Sequence, residues 1–558
     1  MKKLYIIIIS TLLCVAASAQ PDWAKNATKS VFTLKTFDAE GTLIGSSNGF
    51  YVSSQGEAIS SFTPFRKASK AIVIDNQGKE WPVVHLLGVD DTYDVAKFKV
   101  AVKKAQPLTI ANENAADSSD IYILPYSTSK KPQPAKGIIT KNEIFKSEYA
   151  YYTINQDPSI DNGLSAPVLN SNGEVIGILQ QATDPEQKVV YAVSAKYANS
   201  LKVNGLSIND PALKSSQIKK ALPDEEDQAI LTMFFASSSL DSLAYCEIVE
   251  DFINKFPNSP EGYTHRAQIK CDANLFDEAD EDMSKAISVA QKKDEAHYSY
   301  ARMIFGKELY KSNMPYDKWS KEKAISETDM AYSINPLPIY KQFKAQITFS
   351  LGKYKEACDI YKQLTDSGFN KAELFIEQAK CYEQLKDTAS MVAMVDSAVN
   401  TFSKPYLKEA APFILIRAQT LANVGQYRKA ALDFGEYEKL MRGSLNAQFY
   451  YIKYQTELNG KLYQQAMNDI TKAIEYAPNN PVFYAEKASL EIRVNYIDEA
   501  LLTASKCISI APEYSDGYLF LGLAQCLKGN KAEGIKNLTK AKELGDEQAA
   551  SLIEKYGK

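Results

Sequence analysis

Nucleophilic chemistry at a carbonyl needs a hydroxyl or thiol, a base to take its proton and an acid to orient that base. In this chain of 558 residues the side chains that could fill those places fall in three short stretches. SSFTPF spans 60–65, TYDVAKF spans 92–98 and DNGLSAP spans 161–167. The last carries Ser165 beside Leu164, the second carries Asp94, and the first carries Thr63 and no histidine. Threonine cannot take a proton from serine at neutral pH, so the constellation lacks its base. Histidine is scarce, at three residues. His85, in VVHLLG, reads as a structural or surface residue of a strand, while His265 and His297 fall in helical segments far along the chain. No cluster of His, Cys and carboxylates has metal-ligand spacing and no glycine-rich phosphate loop is present, so neither metal nor cofactor is expected.

The three stretches belong to longer blocks: GSSNGFYVSSQGEAISSFTPF at 45–65, TYDVAKFKV at 92–100 and DNGLSAPVLNSNGEVIGI at 161–178. Taken together they resemble a trypsin-like peptidase domain of the bacterial HtrA type, over roughly residues 28–202. In that family the first block ends in the turn carrying the histidine base, the second holds the orienting aspartate, and the third reads G-[ND]-S-G-[GS]-P around the nucleophile. Aligned on Pro167, the resemblance puts Leu164 at the nucleophile and Ser165 at the glycine after it; it puts Thr63 at the base and Asp94 at the aspartate. Two of three triad types are therefore missing, which implies a pseudoprotease. The alternative is an active trypsin-like serine peptidase with Ser165 as a non-standard nucleophile. A barrel without the chemistry can still hold an extended peptide by strand addition, or simply cap the C-terminal part of the chain; the sequence leaves both open.

The elements that would position these residues are short β-rich runs, among them SVFTLKTF, GFYVSS, AIVIDNQGKE, DIYILPYS, YYTI and VVYAVS, with Asn76-Gln77-Gly78 and Asn170-Ser171-Asn172-Gly173 where hairpin turns belong. The expected fold of 28–202 is all-β, and the resemblance makes it a chymotrypsin-like double barrel. Residues 203–225, with Pro211, Pro223 and the start of the DEED cluster, read as a linker.

From 226 to 555 helical periodicity takes over and the sequence repeats. Small-residue anchors at Ala267, Ala301, Ala345, Ala379, Ala418, Ala488 and Gly522, with Tyr454 in the same place of its unit, are separated by 34, 44, 34, 39, 36, 34 and 34 residues. A period of 34 is that of the tetratricopeptide repeat, an all-α solenoid unit in which small residues let paired helices approach. Eight or nine units are expected, the 44-residue step holding an insertion near SNMPYDKW at 312–319. Such arrays resemble one another in presenting a concave groove to peptide or protein partners. The groove-facing positions here would include Tyr298, Arg302, Gln346, Phe349, Leu415, Gln419, Tyr451 and Gln455, an amide and aromatic set rather than the Lys, Asn and Arg set of arrays that clamp a carboxylate.

Composition limits the rest. A net charge of -4 with 24% charged residues leaves no basic surplus for a phosphate backbone, which argues against nucleic acid as a partner. Residues 1–19 read as a signal peptide: Lys2 and Lys3, an apolar run from Leu4 to Val15, and Ala17-Ser18-Ala19 for cleavage. Leu13 ahead of Cys14 argues against a lipoprotein, and no later run is long and apolar enough to span a membrane. The expected location is the periplasm, with secretion the alternative. Six cysteines come after the signal, Cys246, Cys271, Cys358, Cys381, Cys507 and Cys526, spaced so that neighbours pair along the repeats. An oxidising compartment permits disulfides there, but the partners should face different sides of the helices, so small buried hydrophobes are the favoured reading.

Overall fold

The computed structural model describes residues 21–129, 132–157, 163–180, 189–369 and 371–557. The expected signal peptide at 1–19 and the loop residues Asp161 and Asn162 lie outside the described residues. The chain divides into two compact units, Met1–Ala290 and Gln291–Lys558.

Alternation drives the β part. In β1 (Val31–Phe37) Phe32, Leu34 and Thr36 are buried on one face while Thr33 and Lys35 sit between them half-exposed, the period of two that a half-buried strand requires. Five more strands close the first barrel with it: β2 (Leu43–Tyr51), β3 (Glu57–Ser60), β4 (Lys70–Ile74), β5 (Glu80–Asp90) and β6 (Val95–Val100), in the order β1-β2-β3-β6-β5-β4. The second barrel is built from β7 (Asp120–Ile123), β8 (Ala135–Phe145), β9 (Tyr149–Asp157), β10 (Pro167–Leu169), β11 (Val175–Leu179) and β12 (Val189–Ser194), in the order β10-β11-β12-β9-β8-β7. Every pairing is antiparallel.

Both anticipated turns form. Asp75 Oδ1 accepts from the N–H groups of Gln77 and Lys79 at the β4–β5 turn, where Gly78 takes φ +79°. Asn170 Oδ1 does the same for Asn172 and Glu174 at the β10–β11 turn. Each barrel has its own core, centred on Phe32, Phe62, Phe65 and Phe98 in the first and on Ile121, Ile139, Tyr152 and Ile154 in the second. A third cluster joins them, with Val31, Phe50, Ile59 and Val95 from one side and Leu124, Leu169, Ile178 and Val193 from the other. That shared core fixes the two barrels against each other and hence the loops at their junction.

The segment 203–225 corrects the sequence reading. It is a folded strap: Val203, Leu213 and Ile218 enter the first barrel's core. Its backbone pairs with the barrel through Leu86 N–H to Lys219 O at 2.8 Å, Ala221 N–H to Leu86 O at 2.9 Å and Gln217 N–H to Ala68 O at 2.8 Å. Its apolar residues are too irregularly spaced to read as a strand or long helix, and tertiary burial together with these backbone bonds orders them.

Among the described residues helices come next, in nine hairpins and a last helix, Glu547–Tyr556. Two hairpins belong to the first unit, Glu226–Ser239 with Ser242–Lys255 and Pro260–Asp272 with Phe276–Val289. Seven belong to the second, from Lys293–Tyr310 with Lys321–Ile334 to Ser515–Leu527 with Lys531–Glu543. The 44-residue step is explained by an 18-residue first helix and the ordered loop after it, where the Trp319 indole N–H donates to the Tyr300 hydroxyl at 3.1 Å. The small-residue rule has a steric cause at Gly522 and Gly534: a Cβ at Gly522 would lie 2.7 Å from the Gly534 carbonyl oxygen, and one at Gly534 would lie 2.8 Å from that of Gly522.

Candidate functional site

Asp94 precedes β6, and Thr63 opens a 3-10 turn, Thr63–Phe65, just after β3. Because β3 pairs with β6, Ser60 against Ala96, the two loops leave the barrel side by side. The result is a direct contact. Thr63 donates to Asp94 Oδ1 from its backbone N–H at 2.6 Å and from its hydroxyl at 2.8 Å, and the Phe62 N–H reaches the Asp94 carbonyl at 3.3 Å. The turn is held from below by Thr36, whose hydroxyl donates to Pro64 O at 2.6 Å.

The loop Gly163–Pro167 is pinned from both barrels. Asn48 of β2 donates to the Leu164 carbonyl from its backbone N–H at 2.9 Å and from its amide Nδ2 at 2.8 Å. The Ser165 N–H reaches Leu179 O at 2.8 Å. Ser165 takes φ +62° and is fully buried. Its hydroxyl donates to Ser61 Oγ at 2.7 Å and accepts from the Ser61 N–H at 3.1 Å. The side chain thus points into the barrel junction, with a second hydroxyl as its partner. Leu164 is half-buried. Asn48 and Ser61, which hold the loop, were missed as positioning residues; the only signal was their place in the block 45–65.

No histidine joins this site. His85 lies on β5, where burial lowers its pKa and its charged neighbours are Asp251, Lys219, Lys255 and Lys99. His265 shares a hydrogen bond with the Tyr245 hydroxyl, and His297 pairs with Glu327 Oε2 at 2.6 Å. Among the described residues no group of three or more His, Cys, Asp or Glu side chains is placed to hold a metal ion, and no described helix is long and apolar enough to cross a membrane.

The groove positions divide by chemistry. Arg302, Gln346, Gln419 and Gln455 are exposed, whereas Tyr298, Phe349, Leu415 and Tyr451 are half-buried and packed on their neighbours. Tyr298 lies 5.0 Å from the Tyr340 ring and 5.3 Å from Phe343, with the Arg302 guanidinium 5.9 Å over its face. Phe349 meets Tyr354 at 5.0 Å, and Leu415 packs on the cluster of Ala418, Leu421 and Phe434. Tyr451 stacks on Tyr454 at 5.9 Å and donates to Glu486 Oε1 at 3.2 Å; burial and that carboxylate push its pKa up to about 12. Each polar member stands one turn from its apolar partner, so the helix faces alternate an anchored ring or aliphatic group with an exposed polar head.

The six cysteines are free thiols, all buried except Cys246, which is half-buried.

The fold is a chymotrypsin-like double barrel followed by a helical repeat array of tetratricopeptide type. The family model described as trypsin-like peptidase domain matches residues 47–178, from β2 into β11. The chain is similar to the small glutamine-rich tetratricopeptide repeat-containing protein 2 of Saccharomyces cerevisiae, at 30% identity over 95 residues, covering 17% of this chain and 28% of that protein. It is also similar to the Hsp70-Hsp90 organizing protein 3 of Arabidopsis thaliana, at 22% identity over 284 residues, covering 46% of this chain and 44% of that protein. The heat shock protein STI1 of S. cerevisiae matches at 33% over 102 residues, covering 18% and 17%. The chain spans less than half the length of each of these relatives. Among solved structures, Rv3671c from M. tuberculosis H37Rv in an inactive form matches with a TM-score of 0.27 and 18% identity, covering 32% of this chain and 88% of that one.

Proposed function

We propose that this chain is a non-catalytic protein-interaction scaffold, exported to the periplasm, in which a trypsin-like barrel pair of HtrA type has lost its chemistry and the repeats hold a protein or peptide partner. The observation that carries it is the Thr63–Asp94 contact. The carboxylate that would orient an imidazole accepts two bonds from a threonine instead, at 2.6 and 2.8 Å. Among the described residues no histidine stands at the loop around Leu164, and a leucine there offers no nucleophile. Ser165 is buried, and the partner of its hydroxyl among the described residues is Ser61, itself no base. For the repeats, the support is the alternation of exposed Arg302, Gln346, Gln419 and Gln455 with half-buried rings and Leu415. This surface suits neutral segments with aromatic side chains, and the names of the Hsp70-Hsp90 organizing relatives favour a protein partner. The export reading rests on residues 1–19 and predicts Gln20 as the first residue of the mature chain.

The test is fluorophosphonate labelling of the purified mature protein beside its Thr63→His, Leu164→Ser variant. No label on the natural chain and label on the variant is the expected result. Label on the natural chain traced to Ser165 would overturn the reading and establish a peptidase with a non-standard nucleophile.

A further inference from the structure

The strap packed on the first barrel also lines an open cavity of about 370 Å³, lying between it and the helices Glu226–Ser239 and Ser242–Lys255. Its walls are largely aliphatic: Val203, Ile208, Leu213 and Ile218 come from the strap, Leu240 and Ile248 from the helical side. At ~30 Å³ per non-hydrogen atom, the share a water takes in the liquid, the space holds roughly a dozen such atoms. That is the low end of ligand-sized pockets.

Three lysines line this cavity, and their partners differ. Lys219 is paired with Asp251 at 2.6 Å. Lys214 is exposed and reaches the Asn209 amide oxygen at 3.2 Å. Lys220 is half-buried, donates to the Ser216 carbonyl and forms no ion pair among the described residues. Burial lowers its pKa, and no carboxylate offsets that effect. The remaining acid of the lining, Glu247, is exposed on the rim. A cation set in an apolar wall without an anion is unfavourable, and an anion delivered by a ligand relieves it. With one bond to Ser216, the ammonium keeps two further donors.

The geometry points to a binding site for a medium-chain aliphatic monocarboxylate, with its tail along the aliphatic wall and its carboxylate on Lys220 Nζ. Chemistry narrows the class from both ends. An amine-ended ligand would meet Lys220 as a like charge, and a dianion would bring a second charge to a wall where Lys220 is the one half-buried lysine without an ion pair among the described residues, Lys214 being exposed to solvent. Decanoate, with twelve non-hydrogen atoms, matches the volume and serves as the probe.

The experiment is calorimetric titration of the full mature chain at pH 7 with decanoate, kept below its micellar range, and with 1-decanol, which has the same tail and no charge. One equivalent of decanoate is expected to bind at least tenfold more tightly than decanol. Lys220→Met should weaken decanoate about tenfold and leave decanol unchanged, and Ile248→Trp, which fills the cavity, should weaken both. Equal affinity for decanoate and decanol would overturn the proposal, as would decanoate binding indifferent to both substitutions. A peptide ending in a leucine carboxylate that binds more tightly than decanoate would also overturn it, in favour of a chain terminus as occupant. The fluorophosphonate result has no bearing on this cavity, so the two readings stand or fall separately.

Discussion

The Thr63 hydroxyl and the Thr63 N–H converge on one oxygen of Asp94, at 2.8 and 2.6 Å. Asp94 is itself held at φ +48°, a conformation that L residues rarely adopt and that Asp tolerates better than most. The aspartate therefore has a structural task independent of catalysis: it ties the turn after β3 to the loop before β6.

Asp94→Ala should accordingly destabilise the barrel unit. Two bonds to a carboxylate are lost at an exposed site where water can take the acceptor's place, a cost of about 0.5–1.5 kcal/mol. A lower urea midpoint for the transition reported by barrel fluorescence is the expected result. An unchanged midpoint would mean that the contact contributes nothing to the turn.

Ser165→Ala makes the complementary case inside the junction. It leaves the buried Ser61 N–H without an acceptor and Ser61 Oγ without its donor, which should cost about 1–3 kcal/mol. The backbone at φ +62° is kept, because alanine has the same Cβ. Urea unfolding reads the loss. Ser165→Gly separates the two effects: it relieves the backbone but drops the same hydrogen bonds, so it should fall between the parent and the alanine variant.

How much of this was legible depends on whether the signal was local. The repeat array was readable because one small residue recurs every 34 residues and because close helix approach demands it, as at Gly522 and Gly534. β1 and β6 were readable from alternation. β8 was not, since Ile138 and Ile144 are 47% and 55% exposed and polar residues fill the positions around them; its eleven residues are ordered by pairing with β7 and β9. The strap failed for the same reason, as Val203, Leu213 and Ile218 show no period. At the site, the meeting of Thr63 with Asp94 followed from the family resemblance. The burial of Ser165 and its bond to Ser61 depended on chain segments 104 residues apart.

Gly522→Ala tests the helix-packing argument. The added Cβ would sit 2.7 Å from the Gly534 carbonyl and 2.8 Å from Leu538 Cγ, and a backbone oxygen cannot turn aside as a side chain can. Overpacking of this kind costs about 1–3 kcal/mol, more than the few tenths to 1 kcal/mol that alanine gains over glycine in a helix. Hydrogen exchange should show faster opening of the hairpin Ser515–Leu527 with Lys531–Glu543, with the barrels unaffected.

Thiol accessibility should track burial. In the native mature chain one thiol, Cys246, is expected to react rapidly with an aromatic disulfide reagent, and six in denaturant without reductant. A denatured count of four or two would mean that neighbouring cysteines pair in the exported protein.

The most specific pH dependence comes from a buried network in the second unit. Lys453 lies 2.6 Å from Glu438, 2.8 Å from Asp469 and 3.9 Å from Glu457, and Lys472 bridges Glu438 at 2.6 Å and Asp469 at 3.3 Å. Three carboxyls thus face two ammonium groups, and Glu457 is the one left over: it is 3% exposed and its Oε2 has no hydrogen-bond partner. Burial first, then the nearby Asp469, raise its pKa to about 8. A carboxyl whose folded pKa lies above its unfolded one binds the proton more tightly when folded, so its contribution to stability is present in full below the unfolded value, near 4.5, and is lost as pH rises through about 8. At 1.36 kcal/mol per unit, even one unit of upward displacement makes Glu457→Gln the more stable chain by about 1 kcal/mol at pH 9. At pH 3.5, below the unfolded value of 4.5, where Glu457 is neutral in both the folded and the unfolded chain, the two should melt nearly together. Calorimetric scans of parent and variant from pH 3.5 to 9 decide it, and parallel curves across that range would show that Glu457 stays ionised in its network.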